Sequence, residues 1–416
     1  MLIAGEASGD LLAAELVSAL RDTLAASPHS ALRTPQFFGA GGAKMSAAGV
    51  ELAFDLTQHS VIGVTDVLKK ILKFRRLFNQ LLALAIERKP DVVIGVDYGG
   101  FNLRFGQAIK RYVRENPFVN WNPKIVQFVS PQVWASRPGR ADKLARDYDL
   151  LLSIFPFEKG WYAQRAPKLR VEFVGHPMIG RFANDDLRFT RREPEAPSIV
   201  NRQSQILLLP GSRKSELQRH LPVIIDAAML MVSKDSKIEF RMVLPNQQLV
   251  GVAWWEFARK TGVKYRLDGP PTTKGVEGCA SKLGLNLKIQ IGELPWALSE
   301  ADVAIASTGT VTMECAFFGV PTVTLYKTSW LTYQIARRII TVKSLTMPNL
   351  LAGETVYPEF VQHDATPEYL ARATLELLQD GTRRTQIKAQ LDKIIASLGE
   401  PGAAGRAAEA VLSLFP

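Results

Sequence analysis

The sequence predicts an α/β protein of two Rossmann-like, doubly wound domains facing each other across a cleft. Three observations carry that expectation. Short apolar runs with strand character alternate with longer amphipathic segments along most of the chain, the pattern of parallel sheets joined by helical crossovers. The chain opens with Leu2-Ile3-Ala4, the small-residue loop Gly5-Glu6-Ala7-Ser8-Gly9-Asp10, and the amphipathic run from Leu11 to Leu20, which reads as strand, loop and helix. The alternation also comes in two series separated by a polar stretch, and 416 residues exceed one ordinary domain.

In the first series, further strands are expected at Gln36-Phe38, Asp91-Val96, Lys124-Phe128, Leu150-Ile154 and Arg170-Phe173, ending near Gly175-His176-Pro177. The stretch from Asn184 to Gln205, rich in Asp, Arg, Glu and Pro, reads as an interdomain linker with room for one short helix. The second series places strands at Ile206-Leu209, Glu239-Leu244, Leu285-Ile291, Val303-Ala306 and Thr322-Leu325. From Glu368 to Leu414 the tail is helical in character. The expected division is therefore a domain over 1–178, a linker over 179–204, a domain over 205–367, and C-terminal helices over 368–416 that close the structure.

Composition narrows the class. With 47% hydrophobic and 22% charged residues the chain reads as a soluble globular enzyme. No apolar run reaches the roughly 18 residues needed to span a bilayer. Met1 leads straight into the first strand, without a secretory signal pattern. Cys279 and Cys315 form no motif, which fits a reducing cytoplasmic setting. The histidines are scattered, so neither a metal nor a cofactor site is expected. The formal charge of +11 points to an anionic partner. No nucleic-acid motif accompanies it, leaving a phosphorylated substrate or an anionic membrane surface.

The second half carries two phosphate-type turns. Leu207-Leu208-Leu209-Pro210-Gly211-Ser212-Arg213 is a buried strand ending in a glycine turn, and Lys214-Ser215-Glu216 opens a helix. Amides at such a helix start attract an anion, and Arg213 adds a forked donor set. An ordinary strand-to-helix turn with a solvated arginine has the same pattern. Ala304-Ile305-Ala306-Ser307-Thr308-Gly309-Thr310, followed by Val311-Thr312-Met313-Glu314, repeats the arrangement. Thr310 and Glu314 are four apart and share a helix face. Thr310 is placed to meet a phosphate, and Glu314 either accepts from ribose hydroxyls or pairs with a nearby cation. Neither turn has the P-loop Lys-Ser/Thr pair, which disfavours ATP hydrolysis.

The first half offers a candidate base. Asp91-Val92-Val93-Ile94-Gly95-Val96-Asp97 is a buried strand ending in a carboxylate, followed by the loop Tyr98-Gly99-Gly100-Phe101-Asn102. Asp97 either takes a proton from a substrate hydroxyl or caps its loop. In Ser130-Pro131-Gln132-Val133-Trp134 the indole either stacks on a sugar or joins the core. Glu6 and Asp10 repel an anion, so the opening loop is a poor phosphate cradle, although Ser8 or Asp10 can cap the helix. Between Val61 and Leu84, the residues Val64, Val67, Leu68, Ile71, Leu72 and Phe78 recur at helical spacing. Lys69, Lys70, Lys73, Arg75 and Arg76 are interleaved with them. Such a helix lies on an anionic membrane or packs on the core with solvated lysines; periodicity alone favours the second.

Together these segments resemble the lipid-A-disaccharide synthase family of cytoplasmic GT-B glycosyltransferases. The resemblance runs from Gly5 to about Gln362. Besides the motifs above it includes Phe38-Gly39-Ala40-Gly41-Gly42-Ala43-Lys44-Met45, Phe155-Pro156-Phe157-Glu158, Val174-Gly175-His176-Pro177 and Pro348-Asn349-Leu350-Leu351-Ala352-Gly353. Ser136, Gly99 and Ala43 depart from the family's usual Trp, Pro and Pro. The resemblance implies transfer of a sugar from UDP-2,3-diacylglucosamine to 2,3-diacylglucosamine 1-phosphate (lipid X), with inversion and release of UDP. It implies Asp97 as the base and Ser212, Arg213, Ser307, Gly309, Thr310, Glu314, Asn349, Glu359 and Gln362 on the donor side. On the acceptor side it implies Glu6, Ser8, Gly9, Asp10, Asn102 and Trp134. Helix N-termini after Gly211 and Gly309 stabilise the leaving UDP without a metal.

Acylated substrates turn the basic helix toward the membrane reading. Val64, Val67, Leu68, Lys69, Lys70, Ile71 and Lys73 are then expected at the inner face of the inner membrane; a homo-oligomer is a further expectation. Two other readings compete: a GT-B transferase or epimerase acting on UDP-N-acetylglucosamine, and a non-catalytic membrane scaffold. The basic helix and the Gly5-to-Asp10 loop speak against the first. Asp97, Arg213, Glu314 and Asn349 occurring together speak against the second.

Overall fold

The computed structural model describes residues 1–26, 35–59, 67–184, 203–262 and 285–415. They form two compact units, Met1–Asn184 with Leu398–Pro416, and Asp185–Ser397. The first unit is built on β1 (Leu2–Ala4), β2 (Phe38–Gly41), β3 (Glu51–Asp55), β4 (Val92–Val96), β5 (Lys124–Phe128), β6 (Leu150–Ser153) and β7 (Val171–Phe173). All pair in parallel in the order β3-β2-β1-β4-β5-β6-β7. The second unit is built on β8 (Gln205–Leu209), β9 (Glu239–Leu244), β10 (Asn286–Ile291), β11 (Val303–Ser307), β12 (Thr322–Tyr326) and β13 (Glu359–Val361). Its order is β10-β9-β8-β11-β12-β13, again all parallel.

Both sheets are doubly wound, as the alternation predicts. Strand order reverses between β1 and β4 and between β8 and β11. At such a reversal the two crossovers leave in opposite directions, and a crevice opens beyond the carboxyl ends of the strands. The loop after Ala4 and the loop after Val96 flank the first crevice; the turns after Leu209 and Ser307 flank the second.

Near-continuous apolar strands suit sheets covered on both faces. In the first unit Ile3, Val93, Ile125 and Leu151 pack against Leu81, Phe105, Ile109 and Tyr162. In the second, Leu207, Ile305 and Val323 pack with Leu221, Ile224 and Leu370. Although β1 is only three residues long it is fully buried, paired between β2 and β4. Gly39 on β2 has φ +155°, and a Cβ there would lie 1.8 Å from the Leu2 carbonyl oxygen, so only glycine fits.

Three expectations need correction. The edge strands β3 and β13 were not anticipated; both are partly exposed, so neither has the buried apolar run that marks the inner strands. The strand expected at Gln36-Phe38 runs instead from Phe38 to Gly41. The tail over 368–416 is not one closing block. Helices Pro367–Gln379 and Gly381–Ser397 belong to the second unit, whereas Ala403–Leu412 packs along Ala7–Ala26 of the first. Arg406 fastens that last helix, donating to the carbonyls of Val174 and Pro401 at 2.8 Å each. Of the expected linker, helix Pro177–Asn184 is seen and 185–202 lie outside the described residues.

Asp10 fixes the first crevice. Its buried carboxylate accepts from the backbone N–H groups of Gly42 (2.7 Å), Lys44 (2.9 Å) and Met45 (3.1 Å). It therefore caps the helix Ala43–Ala47, which follows β2, rather than the helix it belongs to. Asp10→Ala removes all of these acceptors from buried amides and is expected to cost about 2–3 kcal/mol. Urea denaturation checks this; an unchanged midpoint would show that the clamp contributes nothing.

Candidate active site

At the first crevice the chain leaves β4 through two consecutive left-handed residues, Asp97 (φ 50°) and Tyr98 (φ 45°). Non-glycine residues there store roughly 1–3 kcal/mol each and cluster at functional sites. The corner is gripped from several sides. Asp97 N–H donates to Phe128 O at 2.8 Å. Its carbonyl accepts from Asn102 Nδ2 at 2.8 Å and Gln127 Nε2 at 2.9 Å. The side chain is half-buried, and burial raises its pKa above the usual carboxylate range; hydrogen bonds from the Tyr98 backbone and the Ser8 side chain oppose the rise.

Ser8 is exposed and Glu6 half-buried. Burial and then the charge of Glu6 raise the Tyr98 phenol. Tyr98 stacks on Phe101 at 5.7 Å and fills the space beside Gly5, where a Cβ would meet its ring at 2.4 Å. Gly9 is buried, and a Cβ there would sit 3.2 Å from Val96 O, so glycine lets the helix start lie close against β4. Glu6, Ser8, Asp97 and Tyr98 thus gather where β1 and β4 end.

Other residues expected here do different work. Asp10 is committed to the 42–45 amides. Asn102 is buried, its amide turned inward onto the Asp97 carbonyl. Trp134 is buried too: its indole N–H donates to Glu158 at 2.9 Å and its ring meets Phe157 edge-on at 5.0 Å. It is core, not a sugar platform. Gln127 was missed because it sits inside an apolar strand; a fully buried amide among Ile125, Val126 and Phe128 was the available signal. Asn102 Oδ1 and Gln127 Oε1 find no hydrogen-bond partner, each a cost of about 1–3 kcal/mol.

The basic helix runs from Val67 to Arg88. Leu77, Leu81 and Ala85 are buried, and Phe78 packs edge-on against Phe101 (5.3 Å) and Phe105 (5.5 Å). Its inner stripe is therefore core. Leu72, 66% exposed, faces outward with Lys73, Arg75 and Arg76. Val64, and the side chains of Val67, Leu68, Lys69, Lys70 and Ile71, lie outside the described residues.

At the second crevice Gly211 (φ 126°) and Gly309 (φ 136°) make the turns after β8 and β11. Ser212, Arg213, Gly309 and Thr310 are exposed, Glu314 is half-buried and Ser307 buried. Glu216, not anticipated as a site residue, accepts from Ser212 N–H at 3.0 Å and pairs with Arg213 at 3.6 Å. Its position three residues into the helix was the signal. His220 joins two loops of this edge: Nδ1 lies 2.7 Å from Pro210 O, and Nε2 accepts from Lys327 N–H at 3.0 Å. Those contacts fit the neutral ring protonated on Nδ1, and burial lowers the pKa accordingly.

Asn349, Glu359 and Gln362 do not present open side chains to a donor. Buried Asn349 donates to Tyr357 O and Glu359 and accepts from the Val356 and Tyr357 amides, all at 2.8–2.9 Å. Glu359 accepts from the amides of Leu345 and Thr346 and the Thr346 hydroxyl. Gln362 closes a two-way contact with the Thr328 backbone, 3.0 Å in each direction. These three hold the loops of the edge. Among the described residues no cluster of His, Cys, Asp or Glu is arranged to hold a metal ion.

Two doubly wound α/β units, each with a crevice at its strand-order reversal, are the arrangement of the GT-B fold class. Solved structures agree on the fold. A putative UDP-N-acetylglucosamine 2-epimerase from Listeria monocytogenes aligns at TM-score 0.59 and 15% identity, over 100% of this chain and 96% of that one. MurG from Acinetobacter baumannii aligns at TM-score 0.52 and 17% identity, over 99% of both. The chain belongs to the lipid-A-disaccharide synthetase family, whose sequence pattern matches residues 1–253 and 282–412. Lipid-A-disaccharide synthases of Trichlorobacter lovleyi and Myxococcus xanthus are each 34% identical to it, over 100% of this chain and 97% of theirs.

Glu158 gives the first unit a pH dependence. It is buried, accepts from the Trp134 indole, and has its pKa pushed up to about 7 by burial. The folded state therefore favours its neutral form. The resulting stability is fully present below about pH 4.5, the unfolded value, and is lost as pH rises through about 7. Glu158→Gln removes this component. Urea stabilities of the two proteins are expected to diverge by up to about 3 kcal/mol between these limits, the wild type losing ground as pH rises. Parallel pH profiles would refute the assignment.

Proposed function

We propose that the chain moves 2,3-diacylglucosamine from UDP-2,3-diacylglucosamine to the 6-hydroxyl of 2,3-diacylglucosamine 1-phosphate, giving the β-1′,6-linked lipid A disaccharide 1-phosphate and UDP. The observation that carries the mechanism is Asp97: a half-buried carboxylate at the β1/β4 reversal, its pKa raised by burial against the opposing effect of the Tyr98 backbone and the Ser8 hydroxyl. Asp97 takes the proton of the acceptor 6-hydroxyl. The oxygen attacks the anomeric carbon from the face opposite UDP, the bond to the diphosphate breaks, and UDP leaves with the electron pair. A single displacement inverts the configuration and needs one base.

On the donor side, the exposed turns at Ser212-Arg213 and Gly309-Thr310 suit a diphosphate, because helix-start amides and a guanidinium both favour anionic oxygens. Glu314, one turn into its helix, suits the ribose hydroxyls. This reading requires no metal: the turns and Arg213 offset the charge that develops on UDP. Leu72 with Lys73, Arg75 and Arg76 offers an apolar and cationic strip for an anionic bilayer. The enzyme is accordingly read as peripheral on the cytoplasmic face of the inner membrane.

Incubation of the purified protein with both lipid substrates is expected to yield disaccharide and UDP. Asp97→Ala should lower turnover by about 10²- to 10⁴-fold, the usual worth of a general base, with UDP affinity within about twofold; near-normal turnover would remove Asp97 from that role. Reversing Lys73, Arg75 and Arg76 to Glu should weaken flotation with anionic liposomes by at least about 10²-fold, at about 1 kcal/mol per cation. Undiminished flotation would rule out this strip as the contact.

A further inference from the structure

Gln127 is the one polar side chain within the buried run Ile125, Val126, Gln127, Phe128 of β5, and it is 0% exposed. Its Nε2 reaches three backbone carbonyls: Asp97 at 2.9 Å, Val129 at 3.2 Å and Phe128 at 3.4 Å. Asp97 belongs to the loop after β4, and Val129 to the loop after β5. Both are left-handed, at φ 50° and φ 66°, and for a β-branched valine that conformation is a genuine outlier. One amide therefore ties together the strained exits of two neighbouring strands. Asn102 Nδ2 reaches the same Asp97 carbonyl from the helix Gly99–Glu115 at 2.8 Å.

The arrangement is costly. Asn102 Oδ1 and Gln127 Oε1 are buried without partners. Gly95 must lack a side chain, since a Cβ there would stand 2.8 Å from Gln127 Oε1 and from Asn102 Cγ. A leucine or methionine at 127 would avoid the orphaned oxygen and suit the strand. What the amide supplies is a fixed peptide at Asp97, whose Cα sets where the carboxylate emerges and how deeply it is buried.

We propose that Gln127, seconded by Asn102, is a positioning residue for the Asp97 carboxylate, acting through the Asp97 carbonyl and never touching substrate. The assignment rests on Asp97 being the base. Holding the corner left-handed keeps the carboxylate half-buried, and burial is the cause of its raised pKa. Releasing the corner should both misplace the carboxylate and hydrate it.

The test uses the full chain with Gln127→Met, which keeps length and removes the donor, and with Gly95→Ala, which displaces both amides from the opposite side. Turnover is normalised to the folded fraction from thermal melts. Both variants are expected to lose about 10- to 100-fold in kcat, the scale of an ångström of misplacement, with both KM values within about threefold. The acid limb of the kcat/KM profile should move to lower pH. A purely structural role would scale activity with the folded fraction and leave the limb in place, and that result, or kcat within twofold of wild type in both variants, overturns the proposal. Retained turnover in Asp97→Ala would instead overturn the base itself, so the two failures are separate.

Discussion

Parallel pairing throughout both sheets is the constraint from which the rest follows. Every strand must be followed by a crossover that returns over a face, so all carboxyl ends lie on one edge of each sheet. Where the strand order reverses, at β1/β4 and at β8/β11, two loops diverge and leave their polar groups facing outward. Asp97 and the helix start at Ser8 occupy the first such point; the Gly211 and Gly309 turns occupy the second. Chemistry is confined to these edges because the strands themselves are buried and apolar.

A loop at a crevice must hold one shape while exposing backbone that no sheet or helix satisfies. The molecule meets this with buried polar side chains that bond backbone rather than ligand. Asp10 holds the start of the helix after β2, Glu359 the segment before Met347, Asn349 the turn at Val356 and Tyr357, and His220 the turn at Pro210 together with the segment at Lys327. Each is buried or half-buried and saturated or nearly so. The polar residues of these loops are thus divided between those that hold backbone and those left exposed.

That division explains what could be read from sequence. The inner strands were legible because a short run such as Leu207-Leu208-Leu209 has few alternatives to a buried parallel strand. The edge strands β3 and β13 were not, since Glu51–Asp55 and Glu359–Val361 are half-exposed and mixed in character. The two glycine turns and the place of Asp97 at a strand end were legible from glycine placement and strand ends. Which polar residue faces outward was not. Asp10 and Ser8 lie in one six-residue motif, and only burial separates the clamp from the exposed hydroxyl. Asn349 and Glu359 were expected on the donor side, yet their hydrogen-bonding capacity is taken up by backbone and by each other. Periodicity likewise could not divide the basic helix into a core stripe at Leu77 and Leu81 and an outward strip at Leu72.

The contact between Ser8 and Asp97 bears directly on the chemistry. A general base must be ionised, yet strong enough to draw a proton from a hydroxyl, so a carboxylate held above its usual pKa suits the task better than a fully solvated one. Burial supplies the increase, and the Tyr98 amide and Ser8 hydroxyl oppose it. Ser8 sits in the first turn of the helix Ala7–Ala26, which follows β1 across the reversal from β4, and is exposed. The Asp97 carboxylate is itself half-buried, so the proposed acceptor hydroxyl would reach it through the part left exposed.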